Sequence, residues 1–378
     1  MNCELKHLSL LNYRNIAECD LRFSRKFNCF LGNNGMGKTN LLDSVLFLSL
    51  TKSHLTSIDS QLVRHDQPFL MMQAEYSIND IPENLNVTLK PKVKKSIKRN
   101  GKIYTRMSDH IGLIPVVLIS PADQSLIADG SDERRRFMDI VISQCDSRYL
   151  NSLSKYNRII QNRNNLLKQL AENSSVDSSL LEIYDLQLQD EAEYIYEKRH
   201  EFIEKFIPTF QKTYNKIAAV DDRISLQYVS HLDNNAKLSE LLRECQARDI
   251  ILGYTTRGIH KDDLIMSIGN YPIRTTGSQG QNKSFVIAMK LAQYKVLNDA
   301  KGCKPILLLD DLFDRLDTNR VSNIIDIVAS DEFGQIFITD TSRNNIDKLL
   351  NDRESSVFEV TDGRIKLISV SGEPVLEQ

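Results

Sequence analysis

The chain has 378 residues, of which 41% are hydrophobic and 26% charged. This is the profile of a soluble globular protein long enough for two domains or one domain with a large insertion. A formal net charge of −2 excludes a uniformly basic surface, so any nucleic-acid binding must rest on local patches. No stretch nears the roughly 18 consecutive apolar residues of a membrane span, and Leu5–Ile16 is too broken by polar residues for an export signal. The six scattered cysteines lack a C-x-x-C pair, which fits buried thiols in a reducing cytoplasm better than zinc.

In chain order, 5–11 and 27–31 read as strands, the second leading into a glycine-rich turn. Residues 40–50 then form a helix with a broad apolar face, built from Leu41, Leu42, Val45, Leu46 and Leu48. From about 68 to 106 the pattern is again that of strands, with Asn100-Gly101 as a type I′ hairpin turn. Val116–Ile119 is a short buried strand. Residues 132 to about 218 carry apolar side chains at helical spacing. Asn173-Ser174-Ser175 divides them into an antiparallel pair, whose second helix is expected from Ser178 to Ile207, ahead of Pro208. Beyond about 250, Pro305–Leu309 and Gln335–Thr339 read as buried parallel strands.

The strongest motif is Gly32-Asn33-Asn34-Gly35-Met36-Gly37-Lys38-Thr39, a full match to G-x-x-x-x-G-K-[ST]. Glycines let successive backbone N–H groups converge on phosphate oxygens, Lys38 reaches the β/γ-phosphates, and the Thr39 hydroxyl serves Mg²⁺. The expected ligands are ATP and Mg²⁺. An apolar run ending in Asp310-Asp311 delivers carboxylates to the carboxyl edge of a sheet, Asp310 for Mg²⁺ and Asp311 to orient or deprotonate water. Lys38 and Asp311 are thus the candidate catalytic residues, and Thr39 with Asp310 the candidate metal ligands. As 272 positions separate Lys38 from Asp310, a large insertion must divide one site.

Gly277-Ser278-Gln279-Gly280-Gln281 precedes a helical run. Ser278, Gly280 and Gln281 form a candidate anion-binding turn, with an ordinary N-cap at Ser278 as the alternative. Seven basic residues fall within 90–102; Lys94, Lys95, Lys98, Arg99 and Lys102 are candidates to follow a DNA backbone, against the alternative of a solvated edge hairpin protected by lysines. Arg134-Arg135-Arg136 is expected to stabilise the interface of two lobes.

The order of phosphate loop, insertion, serine turn, acidic strand and Leu316-Asp317 resembles ATP-binding-cassette (ABC) ATPases. Asn12-Tyr13-Arg14-Asn15 is similar to a motif of SMC-like heads. Ser120-Pro121-Ala122-Asp123, Arg134–Asp139, Gln161–Leu167 and Arg257–Leu264 resemble the RecF family in particular, and this similarity runs over nearly the whole chain. The resemblance implies an α/β, SMC-like ABC-type P-loop ATPase head with an inserted helical lobe: residues 1–120 and 251–378 as the ATPase part, 121–250 as the lobe. It further implies an ATP-dependent homodimer, each serine turn meeting the triphosphate of its twin, that holds duplex DNA at gaps or single-strand/duplex junctions. RecR and RecO type mediators and help in assembling RecA are implied with it. Arg14 would contact nucleotide or pair with a surface carboxylate. Asp311, one methylene shorter than a glutamate, and the absence of histidine in Ile338-Thr339-Asp340-Thr341 imply slow hydrolysis. A transporter ATPase subunit, an anti-phage ATPase with a nuclease partner and a P-loop kinase are the rival classes.

Overall fold

The computed structural model describes residues 2–173, 177–220, 222–312, 316–350, 353–371 and 373–374. Its elements in chain order are β1 (Cys3–Tyr13), β2 (Ile16–Arg22), β3 (Phe27–Leu31), α1 (Lys38–Leu50), β4 (Leu70–Ile78), β5 (Ile81–Leu89), β6 (Ser96–Arg99), β7 (Lys102–Ile103) and β8 (Val116–Ile119). Helices α2 (Ser125–Ala128), α3 (Ser131–Cys145), α4 (Ser147–Glu172) and α5 (Ser179–Ala218) follow, then β9 (Ile224–Val229), α6 (Leu238–Leu252), β10 (Asp263–Ile268), β11 (Tyr271–Pro272) and α7 (Ile273–Thr276). The chain closes with α8 (Gln279–Lys301), β12 (Ile306–Asp310), α9 (Thr318–Ala329), β13 (Ile336–Asp340), α10 (Arg343–Leu350), β14 (Ser355–Thr361), β15 (Arg364–Val370) and β16 (Glu373–Pro374).

Two compact units result. The first comprises Met1–Asp123, Lys216–Ala219 and Lys283–Gln378. It holds a six-stranded antiparallel sheet, order β2-β1-β4-β5-β6-β7, and a seven-stranded sheet, order β16-β15-β14-β3-β13-β12-β8. In the second sheet β14, β3, β13, β12 and β8 are parallel. Strands β8 and β12 are almost wholly apolar because both faces are covered; every residue of β8, β12 and β13 is buried. Helix α1 packs on β8, β12 and β13 through a nearly continuous apolar surface.

The second unit comprises Gln124–Asn215 and Val220–Asn282. Residues 251–282, expected in the ATPase part, fall here instead. The reason is strand pairing: β10 runs antiparallel to β9 from Asp263↔Val229 to Ile268↔Ile224, which ties the segment to the inserted lobe. Helices α4 and α5 are antiparallel, as the cross-helix pairs Arg163–Asp185, Lys155–Glu191 and Asp146–Tyr194 show.

Helix α5 does not stop before Pro208. It continues for 40 residues to Ala218, about 60 Å at 1.5 Å per residue. Proline removes one backbone donor, but an aromatic ladder spans the lesion. Phe202, Phe206, Phe210 and Tyr214 lie four residues apart on one buried face, with ring centroids 5.1, 6.1 and 6.5 Å apart in succession. Their burial outweighs a single missing hydrogen bond.

Candidate functional site: a phosphate loop at the carboxyl edge of the parallel sheet

Strand β3 ends at Leu31, and residues 32–37 turn sharply into α1. Asn33, Asn34 and Gly35 are exposed, Gly32 and Met36 half-buried, and Gly37 buried. Lys38 is buried, and its ammonium donates to the carbonyls of Gly32 (2.6 Å) and Asn33 (3.0 Å), so the cation sits inside the loop.

The loop is braced from two sides by hairpin turns far away in sequence. Asn15, in the two-residue turn between β1 and β2, donates from Nδ2 to the Met36 carbonyl (3.1 Å) and accepts from Asn40 Nδ2 (2.7 Å). The Gly363 N–H, in the turn between β14 and β15, donates to the same Met36 carbonyl at 2.9 Å. Both contacts need glycine. A Cβ on Gly37 would lie 2.7 Å from the Asn15 amide, one on Gly363 would lie 2.3 Å from the Asn15 carbonyl, and φ is +110° and +76° at these residues. Tyr13 contributes below the surface, its hydroxyl donating to Asp43 Oδ2 on α1 at 2.6 Å. Arg14 lines an open groove of about 710 Å³ with Asn15, Asn40, Gln61, Arg64 and His65. The motif in sequence points to Arg14; of Asn15, Asn40 and Gly363, which brace the loop, it signals Asn15 alone, as the Asn of the short Tyr-Arg-Asn turn.

Parallel register brings the acidic residues alongside. Strand β13 lies between β3 and β12, with Thr339 opposite both Phe30 and Asp310. The carboxyl ends of three neighbouring strands therefore converge where the phosphate loop begins, the usual ligand edge of such sheets. Thr39 Oγ1 lies 3.1 and 2.9 Å from the two carboxylate oxygens of Asp310. A hydroxyl and a buried carboxylate in contact are hard oxygen donors suited to Mg²⁺, which keeps several waters and takes few protein ligands. Thr339, at the strand end that carries no histidine, donates to Asp310 Oδ1 at 2.6 Å. Its hydroxyl also accepts the Asp311 N–H at 3.1 Å. Asp311 has φ +43°, a left-handed conformation uncommon outside glycine.

Ser278, Gly280 and Gln281 belong to the second unit. Ser278 Oγ accepts from Gln281 N (3.2 Å) and Gln281 Oε1 accepts from Ser278 N (3.0 Å), a reciprocal capping box at the start of α8. Gln281 Nε2 also donates to Asp222 at 3.2 Å. Ser278 and Gln279 are exposed, so the turn offers a helix N-terminus to solvent. Asp317 caps α9 by accepting from Arg320 N at 2.9 Å.

The basic hairpin forms, with Asn100 and Gly101 at φ 49° and 80°, but its charges are unequal. Lys94, Lys98 and Lys102 are exposed. Lys95 instead pairs with Asp59 at 2.9 Å, donates to the Thr51 carbonyl and lies 5.0 Å over the Phe47 ring. Arg99 grips Glu83 through two hydrogen bonds, holding that carboxyl below its ordinary range. Of the five candidates, Lys95 and Arg99 are therefore committed to the fold.

The triple arginine is also placed differently from expectation, within the second unit. Arg134 pairs bidentately with Asp263 (2.6 and 3.0 Å), Arg135 donates to the Asp262 carbonyl (2.6 Å), and Arg136 lies 3.8 Å from Glu133. The scattered family-like blocks converge in the polar core of this unit. Buried Arg199 donates to Tyr149, Asp139, Asp262 and the Ile259 carbonyl, while buried Arg163 donates to Asp185, Asp249 and Thr255. His260 contacts Tyr156 Oη at 2.9 Å, and burial lowers its pKa to about 4. Among the described residues, no helix is long and apolar enough to cross a membrane.

The parallel sheet, the phosphate loop and the acidic strand beside it define an SMC-like ABC-type P-loop ATPase head. The RecF/RecN/SMC N terminal domain family matches residues 4–366. The DNA replication and repair protein RecF of Phocaeicola vulgatus is 49% identical over 365 residues, covering 96% of this chain and 97% of that one. RecF of Flavobacterium johnsoniae is 48% identical, covering 89% and 94%. A solved structure of the recombination mediator protein RecF-ATP in the RecFOR pathway superposes with a TM-score of 0.87 at 29% identity, covering 97% of this chain and 98% of that one. The Smc head domain of Pyrococcus furiosus shares the fold at a TM-score of 0.56 and 17% identity, covering 97% and 96%. The chain belongs to the RecF family of DNA replication and repair proteins.

Proposed function

We propose that the chain is an ATP-operated DNA clamp of gap repair. ATP binding rests on the loop 32–39, with Lys38 meeting the β/γ-phosphates and Arg14 on the groove side. Mg²⁺ would be held by Thr39 and Asp310 and, when bound, neutralises phosphate charge. Asp311 orients or deprotonates the attacking water. The exposed capping turn at Ser278, with Gly280 and Gln281, completes the pocket of a second copy by presenting a helix N-terminus to its triphosphate. ATP thereby closes a homodimer, the dimer holds duplex DNA near single-strand/duplex junctions, and slow hydrolysis releases it. Lys94, Lys98 and Lys102 give this grip a sequence-independent phosphate contact. RecR and RecO type mediators and RecA loading are the expected setting, in the cytoplasm, since a relative of the same fold is described as a recombination mediator in the RecFOR pathway.

The contact between Thr39 and Asp310, 271 positions apart, carries this reading: a phosphate loop and a metal carboxylate meet at one sheet edge. Sedimentation with and without ATP, Mg²⁺ and gapped DNA tests it. Wild type should dimerise with ATP and bind DNA as the dimer, and Lys38→Arg should stay monomeric. An ATP-independent monomer on DNA would refute the clamp. Turnover should fall below the ~10 s⁻¹ typical of enzymes.

A further inference from the structure

Strand β13 ends beside both the phosphate loop and the acidic strand, and its penultimate residue is a fully buried threonine. A hydroxyl there can donate once and accept twice. Here it donates to Asp310 Oδ1 at 2.6 Å, a short charge-assisted bond, and accepts the Asp311 N–H at 3.1 Å. One side chain therefore touches the metal-site carboxylate and the backbone of the candidate catalytic acid. Its two bonds differ in consequence. The first fixes the rotation of the Asp310 carboxylate, whose oxygens also receive Thr39. The second pins the peptide that carries Asp311 at φ +43°, a left-handed conformation that a residue other than glycine holds only with local support. Register supplies the precision, since Thr339 stands directly opposite Asp310 in the parallel ladder.

We infer that Thr339 is a positioning residue that sets the metal carboxylate and the following acid in one geometry, occupying the strand end where no histidine stands. It transfers no proton and need not touch nucleotide. This inference rests on the proposed ATPase site, but its first test does not. In protein free of nucleotide and metal, Thr339→Val keeps the side-chain volume and removes the acceptor, so amide hydrogen exchange at Asp311 should quicken about tenfold or more, while Thr339→Ser should match wild type. With ATP and Mg²⁺, Thr339→Val should lower kcat about 10–100-fold, the range for losing a hydrogen bond to a charged group. KM for ATP should change less than threefold, and serine should restore turnover. Thr339→Ala gives the same comparison should the valine variant unfold. Unchanged Asp311 exchange and unchanged kcat in a folded valine or alanine variant would overturn the inference, as would a serine variant as impaired as valine. Wild-type protein that binds no ATP, with Asp311 exchange still responding to Thr339, would instead sink the ATPase reading and leave the positioning contact standing.

Discussion

Asn15 Nδ2 donates to the carbonyl of Met36 at 3.1 Å, so the turn of the first hairpin holds the phosphate loop by its backbone. Because the Gly363 N–H shares that carbonyl, the loop is set by two hairpins before any phosphate arrives. Preorganisation of this kind lowers the ordering cost of binding. Asn15→Ala removes two hydrogen bonds, each worth about 0.5–1.5 kcal/mol. Both bonds exist without nucleotide, so the unfolding midpoint should fall by a few degrees, and ATP affinity measured by calorimetry should fall by at most about 5- to 150-fold, the two bonds taken together. Gly363→Ala should be worse, since its Cβ would stand 2.3 Å from the Asn15 carbonyl.

Arg199 tests the polar core of the second unit. Its guanidinium is 1% exposed and pairs with Asp139 and Asp262 at 2.9 and 2.8 Å. Arg199→Met leaves those carboxylates uncompensated and should cost about 3–5 kcal/mol in urea unfolding. Arg199→Lys should recover only part of this, as an ammonium cannot reproduce the fork that also reaches Tyr149 and the Ile259 carbonyl.

The basic hairpin separates into two kinds of lysine. Replacing Lys94, Lys98 and Lys102 together by Gln should weaken DNA binding regardless of sequence. It should also reduce the slope of log affinity against log salt by about 0.9 per lost phosphate contact. Lys95→Gln should leave that slope alone and lower stability instead, since Lys95 is bound to Asp59 and Thr51. Equal slope changes from both variants would contradict this division.

His260 gives a pH signature. Its pKa is lowered to about 4, first by burial and further by Lys261, Arg135 and His231 nearby, against support from the Thr255 carbonyl. The unfolded chain binds the proton near pH 6.5, the folded one not until about 4. Its contribution is therefore fully present above pH 6.5 and is lost as pH falls toward 4. The loss is up to about 3 kcal/mol by linkage, less to the extent that the ring's rim reaches solvent. His260→Gln should flatten the acid limb of the stability curve, and an unchanged limb would refute the assignment.

Much of this was legible in one dimension. The phosphate loop is local: eight consecutive residues carry the glycines, lysine and threonine, and an apolar strand and helix flank them. Strands 27–31 and 116–119 and the Asn100-Gly101 turn were readable for the same reason, since their signals span only a few neighbours. Pro208 misled because a local rule met a non-local answer, the aromatic face of Phe202, Phe206, Phe210 and Tyr214 packing beyond the proline. Arg134–136 and Lys95 misled likewise, because a charge's partner is invisible when Asp263 lies 129 positions away and Asp59 lies on another segment.

By itself, then, the sequence determined the phosphate loop, the acidic strand end and the family, since each is written in contiguous residues whose chemistry does not depend on what they later touch. Tertiary structure alone decided that Asn15 and Gly363 hold Met36, that Thr339 bridges Asp310 and Asp311, and which arginines are spent on the core. Those contacts are products of strand order and register, and register is fixed by cooperative burial across the whole sheet.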